Sequence, residues 1–209
     1  MSPKALSRLP ELLPSKLSPA QKKLYDQIAA GAKDSSGRPL KTRVNEETGG
    51  LLGPFNAFLR SPQLGADVAL LAEHLRFGEL ECSQRLLEIC ILRTVQRTGA
   101  LYALWSHQKL AAAAGVASEI IKVISEGKNA REECKSLLST EEAAALALCD
   151  ELLQPGMVVS EATYSAALAV LGERRGFEVS VTAGFYLLLS AVLKTFDVRP
   201  PEDLPQSKL

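Results

Sequence analysis

The chain carries no surplus of charge of either sign: lysine and arginine total 24, and so do aspartate and glutamate. Nothing in that balance steers it toward a nucleic acid. No stretch reaches the ~18 or more consecutive apolar residues of a membrane span. The N-terminal segment MSPKALSRLPELLPSKLSP lacks the apolar centre of a secretory signal. Histidine is scarce, at two residues, so a mononuclear metal site would need carboxylates, and none are suitably spaced. The cysteines, Cys82, Cys90, Cys134 and Cys149, show no metal-like spacing, and nothing demands an oxidising compartment. Cys90 lies in an apolar run and reads as a small core residue, whereas Cys82 and Cys134 have charged neighbours and read as exposed. The glycines at 49, 50 and 53 lack the lysine and helix context of a phosphate loop, and there is no Gly-x-Ser-x-Gly elbow. These absences leave a soluble cytoplasmic protein with neither nucleic-acid nor membrane partner as the expectation.

What is present is helix. At 209 residues and 46% hydrophobic content the chain can bury a sizeable core as one domain. No strand-like alternation recurs at regular spacing. Ser18-Pro19 is a helix start, with serine as N-cap and proline at the first helical position, and the helix runs to about Ala32. The prolines at 54 and 62 open a short helix and a longer one over about 63–76, with Leu64, Val68, Leu71, Ala72 and Leu75 as its core stripe. Further helices span about 117–126, 139–153, 160–171 and 177–196, with Arg131–Leu138 as a polar connector. The loop Asp34–Pro39 separates the first helix from a polar, then glycine-rich stretch. Residues 1–17 hold three prolines and alternate Leu with Lys, Arg and Ser, which suits a disordered lead or an arm lying on a neighbouring subunit. The reading is all-α: an arm at 1–17, one helical domain over 18–200 and a tail at 201–209.

One stretch organises the rest. Ser83–Val116 reads SQRLLEICILRTVQRTGALYALWSHQKLAAAAGV. Its first half is apolar around most of the circumference, as in a helix buried on nearly all sides. Glu88, Tyr102 and His107 interrupt that grease, and a buried carboxylate or imidazole needs a reason to be there. Glu88 has two readings: a salt bridge to Arg85 or, at a poorer spacing, Arg93; or a base or proton relay feeding His107. On an unbroken helix the nineteen steps between Glu88 and His107 would leave them about 100° apart. A break near Thr98-Gly99 would let them converge, and glycine weakens a helix by ~1 kcal/mol relative to alanine. His107 shares a stripe with the small Ala100 and Ala103. An imidazole, with an ordinary pKa near ~6.5, can give and take protons at neutral pH. Tyr102 offers a hydroxyl to a substrate oxygen, and Trp105 a pocket wall.

The segment resembles the core of the carboxymuconolactone decarboxylase family, which includes the alkyl hydroperoxidase D-like proteins. Redox members carry a Glu, then Cys-x-x-Cys, then a His four residues on. Glu88 and His107 match in separation, and the two cysteine positions are Ala100 and Ala103. Non-redox members often show Tyr-Glu-Trp-x-x-His; here the run is Tyr102-Ala103-Leu104-Trp105-Ser106-His107, with the Glu position held by Ala103 and the Trp displaced by one. The likeness extends upstream through Gly53-Pro54-Phe55-Asn56, Ser61-Pro62 and Leu75-Arg76-Phe77. It implies an alkyl hydroperoxidase D-like helical bundle that assembles as a homo-oligomer, trimer or hexamer, with a pocket near a subunit interface. It also implies a cofactor-independent, metal-free lyase or isomerase acting on a small organic acid, lactone or polyketide-like substrate. His107 would be general acid/base and Glu88 its partner. Tyr102, Trp105, Arg76, Asn56 and Tyr186 would be substrate-binding positions, with Arg76 able to hold a carboxylate in a bidentate fork. The alternatives are a degenerate member that binds a ligand or scaffolds a complex, and weak hydroperoxide reduction through Cys82 or Cys90.

Overall fold

A computed structural model describes residues 7–31 and 43–200. Leu6, the Asp34–Pro39 loop and the tail at 201–209 lie outside the described residues. The described residues form helices: α1 (Pro19–Ala30), α2 (Pro54–Phe58), α3 (Pro62–Phe77), α4 (Gln84–Thr98), α5 (Leu101–Ala113), α6 (Ser118–Ser125), α7 (Ala130–Glu133), α8 (Thr140–Leu152) and α9 (Glu161–Thr195). Extended pairing among them is limited to one isolated bridge, Val44 with Leu51. The all-α expectation therefore holds. The chain divides into two compact units, one of residues up to Gly78 joined by Val192–Arg199, the other centred on Glu79–Ala191.

In the first unit, Ser18 caps α1 with the reciprocal Ser18/Gln21 box, and Leu24 and Ile28 face inward. Residues 7–17 are bonded to their own chain. Asn56 holds them from both sides, accepting from Leu12 N–H at 3.1 Å and donating to the Pro10 carbonyl at 3.2 Å. Glu11 accepts from the Thr48 hydroxyl at 2.7 Å, and Arg8 N–H donates to the Phe196 carbonyl at 2.7 Å. Prolines at 10 and 14 keep the segment from forming an α-helix, leaving one 3-10 turn at Pro14–Lys16, so its backbone finds partners both in side chains and in distant backbone.

The stripe expected on α3 holds at Leu75, and in part at Val68 and Ala72, which are half-buried, but not at its two other leucines. Leu64 and Leu71 are exposed, at 63% and 39%, and the line that turns inward runs through Gly65 and Leu75. A Cβ on Gly65 would stand 2.4 Å from the Phe58 carbonyl oxygen, so the helix approaches α2 through bare backbone. A residue without a side chain sends no hydrophobic signal, and the flanking leucines were read in its place.

In the second unit α4 is the axis, packed against α5, α6 and α8. Leu86, Leu87, Cys90, Ala145, Leu148, Cys149, Leu171, Val179 and Ala183 meet in one core cluster. Cys82 belongs to it too, 5% exposed, and Cys134 is 1% exposed, so both cysteines expected at the surface are buried. Charged neighbours misled the reading at Cys82, because the chain there is pinned from a distance. Glu178 of α9 accepts the N–H groups of Glu81 at 3.1 Å and Cys82 at 2.8 Å. The Arg131–Leu138 connector contains the single turn α7. α9 is interrupted at Gly172, whose φ of 73° and ψ of 171° are non-helical, and helix resumes directly after it rather than at Phe177.

Burial works against charge on Glu178, but the backbone N–H groups of Cys82 and Glu81 outweigh it and hold the carboxyl below its usual range. A depressed folded-state pKa contributes stability above the unfolded value of about 4.3 that is lost as pH falls through the folded value. Glu178→Ala is expected to cost roughly 1–3 kcal/mol at pH 7. It should also flatten the acid limb of the stability curve below about pH 4.3, read by urea unfolding as a function of pH.

Candidate functional site

α4 ends where the sequence breaks. Gly99 adopts φ 69°, ψ 28°, a left-handed conformation that suits glycine. Its N–H donates to the Gln96 carbonyl at 3.1 Å and that of Ala100 to the Val95 carbonyl at 3.0 Å, the paired bonds of a Schellman cap. Two residues later α5 begins and packs back along α4.

That reversal brings Glu88 and His107 together. Oε2 of Glu88 lies 2.7 Å from Nδ1 of His107, with the carboxylate 1% and the histidine 6% exposed. A carboxylate accepts, so a neutral imidazole bonded to it in this way carries its hydrogen on Nδ1 and its lone pair on Nε2. The other carboxylate oxygen accepts from Gln84 Nε2 at 3.1 Å. Neither arginine considered for Glu88 reaches it: Arg85 pairs with Glu142 at 2.6 Å and Arg93 with Asp150 at 2.6 Å. Among the described residues, the sealed side-chain nitrogens and oxygens without a partner are Gln96 Oε1 and Trp105 Nε1. Gln84 was missed in the sequence, although its position four residues before Glu88 on one helix was signal enough.

The aromatic candidates divide. The Tyr186 ring stands edge-on to the His107 imidazole, centroids 4.9 Å apart at 88°. Tyr186 is 2% exposed, so it walls the imidazole from within the core. Tyr102 is 9% exposed, and burial pushes its phenol up to about 12, leaving it a neutral O–H donor at physiological pH. Trp105 stacks at a tilt on Tyr102, centroids 5.6 Å apart, and carries the Lys109 ammonium 4.1 Å from its ring. Ala100 and Ala103, the positions of the two thiols in redox members, are buried at 1% and 3%. Asn56 and Arg76 belong to the first unit, where Asn56 clamps residues 10–12 and Arg76 lies over the Phe77 ring at 5.1 Å. No group of three His, Cys, Asp or Glu side chains among the described residues is arranged to hold a metal ion.

The cysteines are poorly placed for nucleophilic work. Cys82 is pushed up to about 12, by burial first and then by its contact with Glu178. Cys90 is driven well above its ordinary value by its hydrogen bond with Cys149 and by burial. A thiol with a pKa near 12 is ionised in only about one molecule in ten thousand at pH 8.

No family model matches this chain, and no curated protein does. Solved structures do match. An uncharacterized peroxidase-related protein from a Silicibacter species aligns with 14% identity and a TM-score of 0.71, over 96% of this chain and 94% of that one. An uncharacterized peroxidase-related protein from Ralstonia eutropha, described as an alkylhydroperoxidase AhpD core, aligns with 13% identity and a TM-score of 0.72, over 95% and 94%. A protein of unknown function from Agrobacterium tumefaciens, ascribed to AhpD-type antioxidant defence, aligns with 18% identity and a TM-score of 0.62, over 78% and 100%. The chain therefore has the alkyl hydroperoxidase D-like helical fold.

Two measurements check the site. With only two histidines, imidazole ¹⁵N spectra assign readily: His107 should hold the Nδ1–H tautomer in its neutral form, and Glu88→Ala should release it. A native thiol-labelling assay at pH 8 should find none of the four cysteines reactive within minutes, and all four in guanidinium chloride. A single fast thiol would contradict the burial described.

Proposed function

We propose that the Glu88–His107 pair is the general acid/base centre of a cofactor-independent enzyme of the lyase or isomerase type. Its substrate would be a small organic acid, lactone or polyketide-like molecule. The observation that carries the reading is the 2.7 Å bond between two nearly buried ionisable groups, which occupies one imidazole nitrogen and leaves the other for a substrate proton. In this reading Nε2 of His107 takes a proton from carbon next to a carbonyl. The negative charge of Glu88 stabilises the imidazolium that forms. The proton then returns to a different carbon in an isomerisation; in a decarboxylation no carbon proton is removed, and the imidazolium gives its Nε2–H proton to the enolate carbon left when carbon dioxide departs from a β-keto carboxylate. Tyr102, held neutral by burial, donates to the developing enolate oxygen. Tyr186 fixes the ring plane from the side.

The peroxidase-related names of the structural neighbours suggest a second chemistry, but this chain's residues favour it less. The thiol positions are alanines, and burial holds the thiols of Cys82 and Cys90 protonated. A different alternative rests on how deeply the dyad is buried: a family-like scaffold that keeps the ion pair for structure and binds a ligand without turnover.

The test is proton–deuterium exchange and carbon dioxide release with a panel of β-keto acids and unsaturated lactones, followed by NMR. Wild-type protein should catalyse one of the two. His107→Ala should lower the rate by about 10²–10⁴ while its helical circular dichroism stays unchanged. Undiminished turnover in His107→Ala would remove the dyad from the mechanism. Inactivity of the wild type across the panel would favour the scaffold.

A further inference from the structure

The buried arginines of this protein are not treated alike. Arg85 spans both oxygens of Glu142, at 2.6 and 3.3 Å, and donates as well to the carbonyls of Gly115 and Leu137. Arg93, 8% exposed, bonds Asp150 at 2.6 Å and the Lys128 carbonyl at 3.3 Å. Arg43, in the first unit, is buried more deeply than either, at 5%. Yet its one hydrogen-bond partner among the described residues is Glu73, at 3.5 Å, the weak end of the range. That carboxylate is itself 38% exposed. The guanidinium lies over the Phe55 ring, 4.9 Å from its centroid, which supplies an attractive face but no acceptor.

The charges nearby do not balance. Burial and the positive charge of Arg76 both act against the charge on Arg43, and Glu73 opposes them only in part. Among the described residues two cations therefore face one anion. A buried charge is tolerated when it is paired and its donors are satisfied, and a guanidinium has five donors to satisfy. The remaining nitrogens, Nε and Nη2, have no hydrogen-bond acceptor among the described residues. Their fork matches two oxygens of one carboxylate or phosphate.

We propose that Arg43, with Arg76 beside it, is a binding site for a small oxyanion, a carboxylate or a phosphate, whose charge completes the guanidinium buried against Phe55. The site is built from residues of the first unit and stands apart from the reading of Glu88 and His107. Because Arg76 is half-buried and Arg43 nearly sealed, Arg43 sets whether an anion binds and Arg76 how tightly.

The test is thermal unfolding of the full chain and of Arg43→Met and Arg76→Gln in inorganic phosphate, in acetate, and in chloride at matched ionic strength. For wild type at ten times its dissociation constant, phosphate, acetate or both should raise Tm by about 3–6 °C beyond chloride. Which of the two does so tells phosphate from carboxylate. Arg43→Met should lose that rise, and without oxyanion it should be no less stable than wild type, since a methionine of similar length needs no counter-charge. Arg76→Gln should weaken binding about tenfold by isothermal titration with the anion that raised Tm. This variant keeps the test open if Arg43→Met fails to fold. A shift equal to that in chloride, a shift retained in Arg43→Met, or unchanged affinity in Arg76→Gln would overturn the site. So would a folded Arg43→Met that is markedly destabilised without oxyanion, since the cation would then be compensated within the chain.

Discussion

A carboxylate almost wholly withdrawn from water has to be answered from within the protein, and the answer to Glu88 shapes the second unit. Its two oxygens are divided between Gln84 and His107. The first partner comes free with helical geometry, one turn away on α4. The second requires that the chain stop, reverse and return, which is what the left-handed Gly99 and its two cap bonds accomplish. Around this joint the aliphatic residues of α4 fill the remaining directions, and the arginines that might have competed for Glu88 are taken by Glu142 and Asp150. The charge pattern of the unit thus reserves the carboxylate for the imidazole.

The fold and the chemistry separate at this point. The likeness to AhpD-like structures spans nearly the whole chain at identities of 13–18%, so the helical frame persists while little of the sequence does. In this chain the frame keeps a Glu and a His in contact but places alanines where redox members of the resembled family carry thiols. Of the cysteines it does have, Cys82, Cys90 and Cys134 are buried, and burial favours their protonated form.

Much of the helical layout was legible because it is written in local grammar. Ser18-Pro19 and Ser139 with Glu142 announce helix starts, and Gly99 and Gly172 announce interruptions that the backbone duly makes. The convergence of Glu88 and His107 was readable only as a condition: it required the break. What stayed hidden was decided by contacts far apart in sequence. Cys82 looked exposed because its neighbours are charged, but Glu178, nearly a hundred residues later, draws the Glu81 and Cys82 amides in. Leu64 and Leu71 looked buried because Gly65, which makes the close approach, has no side chain to count. Asn56 looked like a ligand to substrate, and in the structure it binds the chain's own residues 10–12. Arg43 drew no attention, since a single arginine in a polar stretch says nothing about whether it will be sealed or matched.

The first unit is not continuous in sequence: it gathers residues up to Gly78 and then Val192–Arg199, with the second unit between them. The amide of Arg8 and the carbonyl of Phe196 are joined, so the two segments are stitched near their outer ends. During synthesis the inserted unit is complete while the surrounding one still lacks its closing segment. The order of assembly is thereby imposed by the ribosome: the unit bearing Glu88 and His107 can settle first, and the one bearing Arg43 must wait until Val192–Arg199 has been made.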